Sequence, residues 1–166
     1  MARKKDKGPD KTLAMRVLEG AGILYEVYVF PDTVHDATEV ARHAGVPPEQ
    51  VYKTLVVEDE PPGSKPMLIM VAANRTLNLK KTASAVGAKK VHMARHVDAE
   101  RMTGLQTGGI SALALLNRGF KVYLDLPALD QARVLVSAGK RGINLSVPVE
   151  DLMRVTGAEV IEATDD

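Results

Sequence analysis

The sequence predicts a mixed α/β fold: a curled β-sheet or barrel of about seven strands with surrounding helices. Three observations point there. Short β-branched or apolar runs are interspersed with segments of helical periodicity, but without the strict strand–helix–strand rhythm of a doubly wound fold. Two runs, Val51 to Glu58 and Met67 to Ala73, flank a polar, proline-bearing stretch in the manner of a long-looped hairpin. Finally, 166 residues, 45% of them hydrophobic, suffice for one compact core.

The elements follow in chain order. Residues 1–11 contain a basic arm, Arg3-Lys4-Lys5-Asp6-Lys7-Gly8-Pro9, without apolar periodicity and expected to be disordered; 12–166 are read as one domain. Asp10 is placed to cap a helix over 11–20, in which Leu13, Ala14, Val17 and Leu18 recur at helical spacing before Gly20 and Gly22. A strand follows at 24–30. Asp36 with Glu39 three residues on resembles a capping box for a helix through Ala44, closed by Gly45. After Pro47-Pro48 come the two hairpin strands, both expected to be largely buried. Asn78 caps a helix over 79–86, Val91 marks a short strand, and Asp98 is placed to cap a helix over 99–103 that Gly104 ends. Phe120 to Leu126, Arg133 to Ser137, Ile143 to Val147 and Glu159 to Ile161 read as strands, and Pro148 opens a last helix through Val155.

Composition excludes several functions. The longest apolar runs, such as Met67 to Ala73, fall well short of the ~20 residues of a membrane-spanning helix. The charged start carries no apolar stretch like that of an export signal, so a cytosolic protein without a membrane partner is expected. The absence of Cys removes disulfides, thiolate metal sites and a cysteine nucleophile. No Trp and only two Phe leave little surface for stacking bases, which disfavours a general RNA-binding protein. The net charge of +1 hides an uneven distribution: residues 24–62 hold eight acids against two bases, whereas 75–141 hold twelve bases against four acids. A face built from the middle of the chain could therefore meet a polyanion; an ordinary solvated surface is the other reading.

Few motifs carry chemistry outright. His92 and His96 are four apart, but His92 falls in a strand and no third ligand is at hand, so no metal site is expected; His35 and His43 read as surface residues. Ser137-Ala138-Gly139-Lys140 matches a serine–lysine pattern only on a helix, which Gly139 and Gly142 forbid. Gly109-Ile110-Ser111-Ala112-Leu113 lacks the second glycine of a nucleophile elbow. More informative is Gly104-Leu105-Gln106-Thr107-Gly108-Gly109-Ile110-Ser111, whose glycines either free backbone N–H groups for an oxygen ligand or only serve a loop with positive φ. Lys53, opening an otherwise apolar strand, either meets an anion or carbonyl or simply reaches water.

Taken in order, Val51-Tyr52-Lys53-Thr54-Leu55, Leu79-Lys80-Lys81, Gly87-Ala88-Lys89-Lys90-Val91, Thr103-Gly104, Gly108-Gly109-Ile110-Ser111 and Ser137-Ala138-Gly139-Lys140-Arg141-Gly142 resemble the YbaK/EbsC family. That family is related to the editing domain inserted in bacterial prolyl-tRNA synthetases, and the resemblance runs from about Thr12 to Ile161. It implies a mixed β-barrel with outer helices and a trans-acting deacylase that removes a wrong amino acid from tRNA, typically Cys from tRNA(Pro). Neither metal nor cofactor is implied. The partner implied is the aminoacyl-tRNA acceptor end, with prolyl-tRNA synthetase raised as a second.

Carried over by position, Lys53 matches the family's essential lysine, expected at the terminal adenosine phosphate or the acyl carbonyl. Gly108, Gly109, Ile110 and Ser111 match the loop whose amides are expected to hold the ester carbonyl and terminal ribose, with Gly109 and Ile110 grouped with Lys53 as catalytic. Thr54 lines the same pocket, and Phe30, Gly139 and Asn144 join the substrate-binding set. Cysteine-specific relatives usually carry Tyr near Phe30, Asp at Asn144 and Pro at Ala112, so these three positions bear on which amino acid is removed. The implied nucleophile is the substrate's own thiol. A deacylase for Ala or Ser using a positioned water, and a non-catalytic tRNA- or synthetase-binding module, are the alternatives.

Overall fold

The computed structural model describes residues 10–61 and 65–165 in full, together with the backbone of Arg3 and Lys4. Two sheets form instead of one curled sheet, and they hold nine strands among the described residues rather than about seven. The first sheet orders its strands β1 (Arg3–Lys4), β2 (Glu26–Val29), β8 (Ile143–Pro148), β7 (Arg133–Ser137), all antiparallel. The second orders β5 (Lys90–Met93), β3 (Tyr52–Glu60), β4 (Met67–Ala72), β6 (Lys121–Asp125), β9 (Glu159–Ile161), antiparallel through β4 and parallel beyond. A parallel bridge between Val51 and Leu135 joins the sheets at one corner. Only β1 falls where the sequence marks no strand; it is two residues long, and strands that short are fixed by their neighbours more than by their own pattern. Apart from the Arg3–Lys4 backbone, paired with Val29 and Tyr28, the basic arm expected to be disordered lies up to Pro9 outside the described residues.

The main core lies between the sheets. Tyr52, Val56, Leu68, Met70 and Leu124 of one meet Val134, Val136, Leu145 and Val147 of the other, and α1 (Leu13–Gly20) and α5 (Val149–Thr156) close it with Leu18 and Leu152, both fully buried. Every residue of β4 is buried; β3 is only partly so, against expectation, because its first half borders a cleft. A second core sits on the outer face of the five-stranded sheet, where Val57, Ile69, Val71 and Val91 pack beneath Ala83 of α3 (Leu79–Val86).

Asn78 caps α3 through Lys81 N at 2.9 Å, and Asp36 caps α2 (Ala37–Ala44) through Thr38 N at 3.2 Å, both as their spacing indicates. Three helix starts differ. Thr12, not Asp10, accepts from Met15 N and begins α1. The fourth helix, α4 (His96–Thr103), starts before Asp98, whose carboxylate bonds Arg95 and Arg101 and sits in the first turn where the dipole favours it. Pro148 precedes α5 at the cap instead of opening it.

Candidate active site

Strand alternation explains how a cleft opens beside β3. Val51 accepts from Ala73 N on the β4 side, whereas Val56 accepts from Ala94 N on the opposite edge. Successive residues face opposite edges, so Thr54, two before Val56, directs its backbone N–H and C=O to that same opposite edge. β5 pairs only with residues 57–60, and the bridge to β7 reaches only Val51, so the edge between them is uncovered by strand. A cavity of about 330 Å³ occupies the gap.

Lys53, Thr54, Gly108, Ile110 and Asn144 all line this cavity, so five of the nine site residues expected from the sequence converge from three distant segments. The Lys53 ammonium donates to the Ala73 carbonyl at 3.3 Å. Burial holds its pKa below the ordinary lysine value, while the negative charge of Asp36 acts in the opposite direction. A partly desolvated ammonium with one weak partner is a ready site for an anionic or carbonyl oxygen. Asn144 is 7% exposed and faces Ser137 across the β7–β8 pair, which brings both to the opposite wall.

The glycine loop forms the third wall. Gly109 N–H turns back to the Gln106 carbonyl at 2.8 Å, so this amide is occupied; the N–H groups of Gly108 and Ile110 donate to no other described residue. The loop is clamped at Thr107, whose N–H donates to Glu100 Oε2 at 2.8 Å and whose carbonyl accepts from Arg141 Nε at 2.7 Å. That backbone bond, given first to Glu100, lowers the carboxyl pKa. Gly109 is required by packing: a Cβ there would lie 2.9 Å from Arg141 N. Gly108 has φ +88° and is covered by His35, whose Cβ would stand 2.6 Å from an added Cβ.

The other expected residues sit apart. Phe30 is buried in a separate cluster, edge-on to His43 with ring centroids 6.2 Å apart, and does not line the cavity. Ser111 is buried, its Oγ accepting from Ala114 N at 3.4 Å, and Gly139 packs beside Ala114; neither is a lining residue. The structure adds His35, Asp36, His96, Thr107 and Ser137 to the walls. Asp36 reads in sequence as a helix cap and His35 as surface; both descriptions hold, and the cavity is where that surface folds inward. Among the described residues no group of three or more His, Cys, Asp or Glu could hold a metal. His92 lies instead between Glu60 at 2.9 Å and Glu58 at 3.2 Å, on β3.

Residues 31–155 match the aminoacyl-tRNA editing domain, a span that includes Lys53, the glycine loop and Asn144. The chain belongs to the aminoacyl-tRNA editing domain family. It is 34% identical, over 99% of its length and 98% of the relative's, to the provisionally named Cys-tRNA(Pro)/Cys-tRNA(Cys) deacylase EbsC of Enterococcus faecalis. A proline–tRNA ligase of Desulforamulus reducens is 27% identical over 66% of the chain, which spans 18% of that ligase. The crystal structure of a provisionally described trans-editing enzyme for prolyl tRNA synthetase superposes with TM-score 0.79 and 25% identity, covering 97% of this chain and 100% of that one. The mixed fold expected from the sequence is thus the editing-domain fold, in its two-sheet form. No helix among the described residues is long and apolar enough to cross a membrane.

Proposed function

We propose that the protein is a trans-acting aminoacyl-tRNA deacylase that removes Cys from Cys-tRNA(Pro). The observation that carries this reading is the pairing, in one cleft, of the partly desolvated Lys53 ammonium with the unengaged N–H groups of Gly108 and Ile110. An aminoacyl ester entering the gap presents a phosphate and a carbonyl oxygen. Lys53 holds one of these oxygens, and the two amides face the negative charge that grows on the carbonyl oxygen when it is attacked. As the attacking atom bonds the carbonyl carbon, the ester C–O bond breaks and the 3′-oxygen of the terminal ribose leaves as a hydroxyl, taking up the proton that the attacking group gives up. With a cysteinyl ester the substrate thiol supplies the attacking sulfur, consistent with a chain that has no cysteine of its own. The likeness to EbsC supports Cys as the amino acid, and the proline–tRNA ligase match supports tRNA(Pro) as its carrier and the synthetase as a partner.

The test is deacylation of tRNA(Pro) charged separately with Cys, Ala and Pro, by wild type and Lys53→Ala side by side. Loss of Cys alone, dependent on Lys53, is the expected result. Equal rates for wild type and Lys53→Ala would remove Lys53 from the chemistry; tRNA binding without turnover of any ester would leave a binding module.

One observation favours a second reading, an Ala or Ser deacylase: His35 and His96 both line the cleft, where an imidazole could orient an attacking water and take its proton. The Ala arm of the same assay, extended to Ser, decides between them.

A further inference from the structure

A second cavity, of about 290 Å³, lies between α3 and β5. Its floor is apolar, formed by Leu79, Ala83, Ala88 and Val91, and Lys80, Lys89 and Lys90 surround it. All three lysines are exposed, and none makes an ion pair with another described residue. Of the acids nearest in the sheet, Glu60, opposite Lys90 across β3–β5, and Glu58 both bond His92, and Asp59 stands opposite Val91 of the groove floor. On the same helix Lys81 is taken by Asp165 at 3.6 Å, which leaves Lys80 as the helix's cation without an ion pair among the described residues.

The placement of the groove relates it to the cleft. β5 covers the same edge of β3 that is open at Thr54, so cavity and groove follow one another along a single strand edge. Between them the chain from Met93 to His96 carries Arg95, with its side chain 79% exposed. Lys53 and Glu60 are seven positions apart on β3, about 23 Å at ~3.3 Å per residue. A stacked nucleic-acid strand advances ~3.4 Å per nucleotide, so the same length holds about seven phosphates.

We propose that the groove of Lys80, Lys89 and Lys90 binds the phosphate backbone of the RNA whose 3′ end occupies the cleft, about seven nucleotides from that end. The assignment rests on the deacylase reading for the RNA's orientation, and it gives this protein a second, sequence-independent hold on its substrate. Three free ammonium groups against an apolar floor suit phosphates: each contact releases a counterion, and no base is read.

The test compares wild type with the triple variant Lys80→Ala/Lys89→Ala/Lys90→Ala, in tRNA binding across a salt series and in single-turnover deacylation at saturating tRNA. The variant is expected to bind about 10- to 100-fold more weakly at low salt, with a log–log salt slope shallower by about two to three. Its rate at saturation and its melting temperature should match wild type. A short aminoacylated RNA that stops before the seventh nucleotide should bind both proteins alike. Identical salt slopes on full tRNA would overturn the groove assignment and leave the deacylase reading standing. Wild type that binds tRNA with the steeper slope but deacylates nothing would sink the deacylase reading and keep the groove. Wild type that binds no tRNA would overturn both.

Discussion

Arg141 donates its Nε–H to the carbonyl of Thr107 at 2.7 Å, tying the β7–β8 turn to the glycine loop across 34 positions of chain. With Glu100 holding the N–H of the same residue, Thr107 is fixed by a cation on one side and an anion on the other. Neither group lines the cleft, so both act by positioning. Arg141→Ala is expected to slow deacylation by about 10²-fold through misplacement of the Gly108 and Ile110 amides. Its KM should change little, and Arg141→Lys should restore part of the rate. A variant with kcat intact and KM raised would place Arg141 at the substrate instead.

Lys53, proposed to hold a substrate oxygen, also bears on stability. Its folded-state pKa is lowered by burial, so the unfolded chain binds the proton more readily and this group's contribution to stability rises with pH through the interval between the two values. Below that interval the charged, half-buried ammonium costs the fold energy. Lys53→Met is therefore expected to abolish deacylation while leaving Tm equal to or above wild type at neutral pH, as read by calorimetry. The wild-type rate should fall on the alkaline side at a pH lower than an ordinary lysine would give.

Gly109→Ala is expected to destabilise by about 1–3 kcal/mol, since the new Cβ would stand 2.9 Å from Arg141 N, a backbone atom that cannot swing away. Denaturant midpoints measure the loss. The same substitution at Gly104, where nothing lies within 4 Å, pays only for its φ of +76° and should cost less.

Asn144→Asp adds a carboxylate opposite Ser137 in the cleft wall. If the substrate ammonium sits there, KM for the cysteinyl ester should fall by about tenfold, the worth of turning a neutral hydrogen bond into a charged one. An unchanged KM would put the ammonium elsewhere.

Asp125 is fully buried and accepts from Ala163 N at 2.8 Å and Thr164 Oγ1 at 2.5 Å, anchoring the end of the chain. Asp125→Ala leaves both donors unsatisfied and is expected to cost about 2–5 kcal/mol, measured by urea unfolding.

Legibility followed the length scale of each signal. Asn78 and Gly87 bracket α3 at the residues their types indicate, because capping is settled within one turn. Asp98 misled for the same reason in reverse: arginines three residues to either side drew its carboxylate off the backbone. Lys53 and the glycine loop could be singled out from residue type alone, as an ammonium in an apolar strand and as a run of glycines. Glu100, Arg141 and His35 could not, since their roles exist only once segments far apart in the chain touch. Phe30 follows the opposite course: the family resemblance suggests a substrate contact there, yet its ring turns to His43 in a cluster of its own.

The brevity of β5 has a consequence for how such a site arises. Were β5 longer by a few residues at its Met93 end, its backbone would reach the Thr54 rung and complete the ladder, and the result would be a sounder sheet with no recess in it. The opening beside Thr54 is thus an unfinished stretch of secondary structure. Insertions and deletions at the β5–α4 junction would then rescale the recess while leaving every recognised motif untouched, so alteration of substrate size in this fold need not register as any change in its signature residues.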